Sequence, residues 1–154
     1  MEKTLVLLKP SAIERNLAGT VIARFEQKGL QLVGIKMIQL TDEILNEHYA
    51  HLLDRPFYPR LKESMKATPV IACCFEGLES IQVVRNLTGA TNGRNAQPGT
   101  IRGDYSVSGM ENIVHASDSV ENAEIELNRF FKPEEIFTYE RPNFNFIYTA
   151  SEIQ

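Results

Sequence analysis

The chain has 154 residues, of which 43% are hydrophobic and 23% are charged, and its formal net charge is −4. This length suits one compact domain with a sizeable core and is short for two, so we expect a single domain over residues 1–154. The negative net charge gives no support to a broad nucleic-acid-binding surface. Any anion site must come from a local cluster of Lys and Arg side chains.

The longest apolar runs, 5–8 and 70–75, are far too short to span a bilayer, and the N-terminus does not have the pattern of a secretory signal. Cys73 and Cys74 are adjacent within the second run. Neighbours on a strand point to opposite faces, so we expect no disulfide between them. Reduced core thiols are typical of a cytoplasmic protein, and we expect this chain to be cytoplasmic.

Hydrophobic periodicity predicts alternating strands and helices. In chain order these are a strand over 4–9, a helix around 17–25 ended by Gly29, a strand over 32–40, a helix over 42–53, a shorter helix around 61–65, a strand over 70–75, a helix over 80–87 ended by Gly89, a strand over 112–116 and a helix over 120–130. This order is compatible with a four-stranded sheet covered by helices, either doubly wound or of the ferredoxin-like βαββαβ type. Periodicity alone does not choose between the two.

The segment 90–111 has little periodicity and is rich in Gly, Asn, Arg and Thr. An unstructured loop of about twenty residues is unusual in a compact domain, and such loops are usually functional or disordered. Because its hydrogen-bond donors and glycines suit anions, we interpret it as a functional loop, with disorder as the alternative.

Several familiar sites are missing from the sequence. There is no G-x-x-x-x-G-K-[ST] or G-x-G-x-x-G phosphate-binding pattern, and no Cys–His spacing of a zinc site. His48 and His51 are three residues apart on a predicted helix and could share a metal ion. With no third ligand evident, a solvated or half-buried helix face is the favoured interpretation.

His115 stands apart from the other histidines, because it lies at the end of a short strand just before a helix, in N-I-V-H-A-S-D-S. The residues 117–119 are suited to capping that helix. Glu126 lies on the same helix, and a carboxylate bonded to one imidazole nitrogen would leave the other free to attack. Cationic side chains that could converge on phosphates are Lys9, Arg55, Arg85 and Arg102. Judged without these neighbours, a structural histidine is the alternative.

The stretch 112–119 resembles the active-site signature of nucleoside diphosphate kinases, N-x-x-H-[GA]-S-D. The resemblance extends over nearly the whole chain, in the right order and spacing. The further matching motifs are L-L-K-P-S-A from Leu7, H-Y at 48–49, R-P-F-Y at 55–58, V-V-R-N-L-T-G-A-T-N from Val83, P-G-T-I-R-G-D-Y from Pro98 and S-V-E-N-A-E-I-E from Ser119. On these motifs the chain is identified as a member of that family.

The resemblance implies a ferredoxin-like α+β fold, with a four-stranded antiparallel sheet covered by helices. It also implies a ping-pong reaction in which His115 carries the γ-phosphate of a nucleoside triphosphate to a nucleoside diphosphate, with broad base specificity. Members of the family need Mg²⁺ and are homo-oligomers, as tetramers or hexamers. No membrane or specific nucleic-acid partner is expected.

By the same resemblance, Glu126 orients the imidazole and Tyr49 holds the Lys9 side chain. The positions that match the family's phosphate ligands are Lys9, Arg85, Thr91 and Arg102, with Arg55 as a weaker candidate. The nucleoside positions are matched by Phe57 for base stacking, Leu61 beside it, and Asn112 for the sugar 3′-hydroxyl.

The sequence departs from the usual family pattern at three positions near these motifs. Ala116 replaces the more frequent Gly, Glu111 stands where Arg is common, and Gly93 stands where Pro is common. Two other functions remain open at this point. One is a non-catalytic nucleotide-binding protein, which intact His115 and Lys9 argue against. The other is a histidine phosphocarrier fed by a protein donor, which would not need a base-stacking aromatic.

Overall fold

The computed structural model describes residues 1–153 and contains a four-stranded sheet. Its strands are β1 (Glu2–Leu8), β2 (Gln31–Ile38), β3 (Val70–Gly77) and β4 (Val114–Ala116). The strand order is β2-β3-β1-β4, and each neighbouring pair is antiparallel. This confirms the ferredoxin-like α+β fold and rules out the doubly wound alternative, which is built from parallel strands.

Helices cover both faces of the sheet. They are α1 (Pro10–Glu14), α2 (Ala18–Lys28), α3 (Asp42–His48), α4 (Tyr58–Lys66), α5 (Ser80–Thr88), α6 (Ile101–Tyr105) and α7 (Val120–Phe130). Short 3₁₀ turns occur at Ala50–Leu52, Gly93–Asn95, Pro133–Glu135 and Phe144–Phe146. No helix among residues 1–153 is both long and apolar enough to cross a membrane.

The central strand β1 is buried on both sides, and its residues alternate between two cores. Leu5 and Leu7 pack with residues of α3, α4 and α7 on one face. Val6 and Leu8 pack with residues of α2 and α5 on the other. Cys73 and Cys74 of β3 fall into opposite cores and are free thiols, as their strand neighbourhood predicted.

The structure corrects the predicted helix over 42–53. Helix α3 ends at His48, Tyr49 leaves helical geometry with φ −107° and ψ 31°, and a 3₁₀ turn follows. This break lets His48 and Tyr49 both be buried, which neighbours on one continuous surface helix would not achieve.

The segment 90–111 is more ordered than its composition suggests. It forms a 3₁₀ turn at Gly93–Asn95 and helix α6, whose first turn is capped by Thr100 Oγ1 accepting from Gly103 N. Helices α1 and α6 have five residues each, too few to give a hydrophobic period. Strand β4 is shorter than predicted, because Ile113 adopts φ +74° and leaves the extended region.

Candidate active site

A cavity of about 860 Å³ opens on the face of the sheet covered by α3, α4 and α7. Sequence-predicted site residues that line it are Lys9, Tyr49, Phe57, Leu61, Arg85, Thr91, Arg102, Asn112, His115 and Glu126. Arg55 is exposed and lies outside the lining of this cavity. The structure therefore brings together all the predicted site residues except the one that was the weakest phosphate candidate.

The sheet register explains how His115 enters this cavity. His115 pairs with Leu7 of β1, and paired residues of an antiparallel ladder share a face. Leu7 faces the core formed by α3, α4 and α7, so the imidazole is directed to that face. Lys9 lies two residues beyond Leu7 and reaches the same side of the sheet.

Helix α7 turns back beside the sheet and brings Glu126 to the imidazole. Its first turn is capped by Ser119 Oγ, which accepts from Asn122 N. Glu126 Oε2 lies 2.6 Å from His115 Nε2, and Ser117 Oγ donates to the same oxygen at 3.2 Å. The carboxylate thus occupies Nε2 and leaves Nδ1 as the nitrogen available for attack.

Lys9 is buried at the end of β1, with only 8% of its surface exposed. Its Nζ donates to Asn112 Oδ1 at 2.7 Å and to the Met110 carbonyl at 3.4 Å. Burial and the neighbouring Arg102 lower the pKa of Lys9 to about 8, while the Glu111 carboxylate opposes this shift. The ammonium is therefore poorly solvated and well placed to gain from an incoming phosphate.

The expected contact between Tyr49 and Lys9 is not found among the hydrogen bonds of residues 1–153. Tyr49 is buried, and burial raises the pKa of its phenol. Its ring packs edge-on against His48, with centroids 4.7 Å apart. The side chain that holds Lys9 in this structure is Asn112, and Tyr49 contributes a wall of the cavity.

Arg102 holds the loop around the cavity through three backbone carbonyls. Its Nε, Nη1 and Nη2 donate to Asn112, Gly89 and Val114 at 3.1, 3.0 and 2.6 Å. Burial and the charge of Arg85 lower the pKa of Arg102 to about 10, so the guanidinium remains charged at neutral pH. A guanidinium has five N–H groups, so two remain for a phosphate.

Asn112 is buried and all of its amide atoms have partners. Nδ2 donates to the Thr91 and Gly109 carbonyls at 2.9 and 3.0 Å, and Oδ1 accepts from Lys9. The next residue, Ile113, has φ +74°, an unfavourable conformation for a β-branched side chain. This strain is held between Asn112 and the strand that carries His115, as is common at functional sites.

Phe57 and Leu61 are apolar side chains that line the cavity. Phe57 immediately precedes α4 and is 46% exposed, and Leu61 follows one turn later with its side chain mostly buried. An aromatic ring that lines a cavity and remains this exposed offers a surface for a planar group.

His48 and Arg129 line the cavity but were not predicted as site residues. His48 is buried, not solvated or half-buried as expected, and its ring centroid lies 4.5 Å from that of His115. Arg129 Nη1 lies 2.9 Å from His48 Nδ1. His48 falls on the apolar stripe of its predicted helix, which indicated burial. For Arg129, the spacing of three residues from Glu126 on α7 was the available signal, because such residues share a helix face.

The departures from the family pattern have local explanations. The Gly93 N–H donates to the Ser108 carbonyl at 3.0 Å, a bond that Pro cannot make. Glu111 Oε1 accepts from Ser64 Oγ of α4 at 2.6 Å. Ala116 pairs with Val6 and packs half-buried against the core on the α2 and α5 face.

Known proteins resemble this chain over nearly its whole length. The nucleoside diphosphate kinase family model matches residues 2–136. A nucleoside diphosphate kinase from Parabacteroides distasonis is 62% identical over 152 residues, which are 99% of this chain and 99% of that protein. One from Methanothermobacter thermautotrophicus is 46% identical over 148 residues, covering 96% of this chain and 99% of that protein.

A solved structure gives the same result at the level of the fold. The structure of a halophilic nucleoside diphosphate kinase from Halobacterium salinarum in complex with CDP matches with a TM-score of 0.93 at 38% identity. The match covers 96% of this chain and 98% of that one. This chain belongs to the nucleoside diphosphate kinase family.

Proposed function

We propose that this chain transfers the γ-phosphate of a nucleoside triphosphate to a nucleoside diphosphate through a phosphohistidine on Nδ1 of His115. The observation that carries the proposal is the 2.6 Å contact between His115 Nε2 and Glu126. It orients the imidazole and leaves Nδ1 as the nucleophile, inside a cavity lined by Lys9, Arg85 and Arg102.

The reaction has two mirrored steps. In the first, the Nδ1 lone pair attacks the γ-phosphorus, a P–N bond forms, and the bond from phosphorus to the β,γ-bridging oxygen breaks, so that a diphosphate leaves. In the second, a terminal oxygen of another diphosphate attacks the phosphorus and the P–N bond breaks. Glu126 stabilises the positive charge that develops on the imidazole, through the bond to Nε2.

Phosphoryl transfer depends mainly on positioning and on neutralising charge. Lys9 and the two remaining N–H groups of Arg102 meet phosphate oxygens, with Arg85 and the Thr91 hydroxyl as further ligands. Burial favours Lys9 as a phosphate ligand, because a poorly solvated ammonium gains more from an anion than an exposed one does. The exposed position of Arg55 outside the cavity argues against the role expected for it.

The nucleoside lies against the apolar side chains of the cavity. The base stacks on Phe57 beside Leu61, which is the feature that a protein-fed phosphocarrier would not need. Asn112 Oδ1 already accepts from Lys9, but an amide oxygen has a second lone pair. That lone pair accepts from the sugar 3′-hydroxyl, so one amide connects the sugar to the phosphate-binding lysine.

Mg²⁺ fits this site as a partner of the nucleotide phosphates. It prefers oxygen ligands and commonly uses one or two carboxylates together with substrate phosphates. Asp118 lines the cavity, and the bond from Asn122 Nδ2 to Oδ1 at 2.6 Å lowers the pKa of Asp118 and keeps it ionised. Asp118 would hold the ion through water. Bound there, Mg²⁺ would neutralise charge on the phosphates.

We also propose that the chain assembles into a homo-oligomer, as a tetramer or hexamer, in the cytoplasm. Strand β2 lies at an edge of the sheet, and its Ile35 and Met37 are 50% and 61% exposed. An exposed apolar edge strand is normally covered by another element or chain, and a second copy would do this. The buried free thiols of Cys73 and Cys74 are typical of a reducing compartment.

The test is to incubate the protein with Mg²⁺ and γ-labelled ATP and to isolate the protein. We expect about one label per chain that is labile in acid, stable in base, and released by GDP as labelled GTP. No label, or a label stable in acid, would contradict a phosphohistidine.

A further inference from the structure

Beside the nucleophile lies a group of side chains with the composition of a transition-metal site. Three potential ligand atoms lie within 4.8 Å of one another, one each from His48, His115 and Glu126. Two imidazoles and a carboxylate form a known set of protein ligands for Zn²⁺, with a fourth position left open. The set is rich in nitrogen and therefore suits Zn²⁺ or another borderline divalent ion better than Mg²⁺.

Arg129 determines which ring nitrogen of His48 carries the proton. Its Nη1 lies 2.9 Å from His48 Nδ1, and a guanidinium can only donate. The His48 Nδ1 lone pair must therefore accept this bond, and the ring proton must be on Nε2. Arg129 is itself anchored, because its Nε donates to Glu47 Oε1 at 3.0 Å.

This arrangement leaves His48 without a lone pair to offer a metal ion. Nδ1 is occupied by Arg129, and Nε2 carries a hydrogen. The Nε2 atom is buried and has no hydrogen-bond partner among residues 1–153. A buried N–H without an acceptor is unfavourable. The surroundings of Nε2 therefore do not favour this tautomer, and the bond from Arg129 to Nδ1 imposes it. The charge of Arg129 also opposes a divalent cation beside it.

We propose that Arg129 prevents His48, His115 and Glu126 from binding Zn²⁺ together. Without Arg129, a ring nitrogen of His48 is free to offer its lone pair to a metal ion in the cluster. Zn²⁺ then binds all three side chains and displaces the hydrogen bond between His115 and Glu126. Zn²⁺ bound to His115 would block phosphoryl transfer. This consequence rests on the proposed function of His115, whereas the metal binding itself does not.

The test measures Zn²⁺ binding to the nucleotide-free protein by competition with a chromophoric chelator. Wild type is compared with Arg129→Met, the double variant Arg129→Met/His48→Phe, and Arg60→Met as a matched control. Arg60 is exposed and outside the cavity lining. We expect Arg129→Met to bind one Zn²⁺ at least about tenfold more tightly than wild type. The double variant should lose this gain, and Arg60→Met should behave as wild type.

Unchanged Zn²⁺ affinity in a folded Arg129→Met protein would overturn the proposal, and so would a gain that survives in the double variant. Should Arg129→Met fail to fold, ¹⁵N NMR of the wild-type histidine rings decides. We expect His48 to carry its proton on Nε2 and to remain unchanged when Zn²⁺ is added. A proton on Nδ1 would overturn the proposal. Labelling of wild type by γ-labelled ATP is measured separately, so failure of the proposed function is recognised independently.

Discussion

His115 Nε2 lies 2.6 Å from Glu126 Oε2, although the two residues are separated by eleven positions, a strand end and two turns of helix. The contact depends on α7 folding back against the sheet. It determines which ring nitrogen can attack, because the carboxylate occupies Nε2 and leaves Nδ1 toward the cavity.

Glu126→Gln is expected to bind nucleotide normally and to slow phosphorylation of His115. The amide can still accept through its oxygen, but it has no charge to stabilise the developing imidazolium. Loss of a charge-assisted bond is worth about 1.5–3 kcal/mol, or roughly ten- to two-hundredfold in rate. Single-turnover labelling at saturating ATP measures this directly.

Glu124→Gln is the matched control for that experiment. Glu124 is exposed on the same helix and does not line the cavity, so its substitution should leave the rate of labelling unchanged. If Glu126→Gln labels as fast as the control variant, the carboxylate has no part in the chemistry.

His115→Ala is expected to abolish both the phosphoenzyme and nucleotide exchange while the fold survives. His115 is partly solvent-accessible and its neighbours Val114 and Ile113 carry the local packing, so removing the ring leaves the core intact. Labelling, exchange and circular dichroism are measured on one preparation. Stoichiometric acid-labile label on the folded variant would show that another residue is the nucleophile.

The sequence predicted the elements with a clear hydrophobic period. The buried runs of β1 and β3 and the stripes of α2 and α7 were recognised because each repeats over enough residues. The strand order was not accessible in this way, because pairing of β1 with β3 and β4 joins distant segments. The resemblance to a known family supplied the topology that periodicity left open.

The composition of the site was predictable from that resemblance, but its contacts were less so. Tyr49 was expected to hold the Lys9 side chain, whereas the Lys9 ammonium donates to Asn112, a partner 103 positions away. The bond of Arg129 to His48 spans 81 positions and has no local pattern at either end. Such contacts follow from how α3 and α7 meet over the sheet, which a single sequence does not specify.

The affinity of the free protein for ADP is expected to fall as pH rises through about 8. Lys9 has a pKa lowered to about 8, so below this pH it is charged and attracts phosphate, and above it the charge is lost. A single proton gives a slope of at most about tenfold per pH unit. Calorimetric titration between about pH 7 and pH 9 measures it, below the pKa of about 10 of Arg102. Lys9→Met should remove the dependence, and a flat wild-type profile would contradict the assignment.

Glu111→Gln is expected to move that pH dependence to lower pH. The Glu111 carboxylate raises the pKa of Lys9 against burial and Arg102, so its neutralisation lowers this pKa further. Glu111 is exposed, so the displacement should be small and should shrink at high salt. A displacement toward higher pH would show that the carboxylate acts in another way.

Steady-state kinetics are expected to be ping-pong, with little discrimination among bases. Donor and acceptor use one site in turn, and Phe57 offers a stacking surface that tolerates every base. Parallel double-reciprocal lines are expected, and intersecting lines would argue against a shared site. A preference for one purine above about a thousandfold, roughly 4 kcal/mol, would reveal a base-reading contact that stacking does not provide.

Gly93→Ala is expected to destabilise the fold by about 1–3 kcal/mol, measured by urea unfolding. A Cβ at this position would overlap the Ser106 carbonyl oxygen, and that neighbour is backbone. Gly93→Pro should lower the free energy of unfolding further, because it also removes the N–H that donates to Ser108. Gly19→Ala is the control with the opposite sign. Gly19 lies in α2 with no atom within 4 Å of its added Cβ, so Ala should stabilise by up to about 1 kcal/mol. Equal stability of both Gly93 variants and wild type would mean that the loop accommodates a side chain without strain.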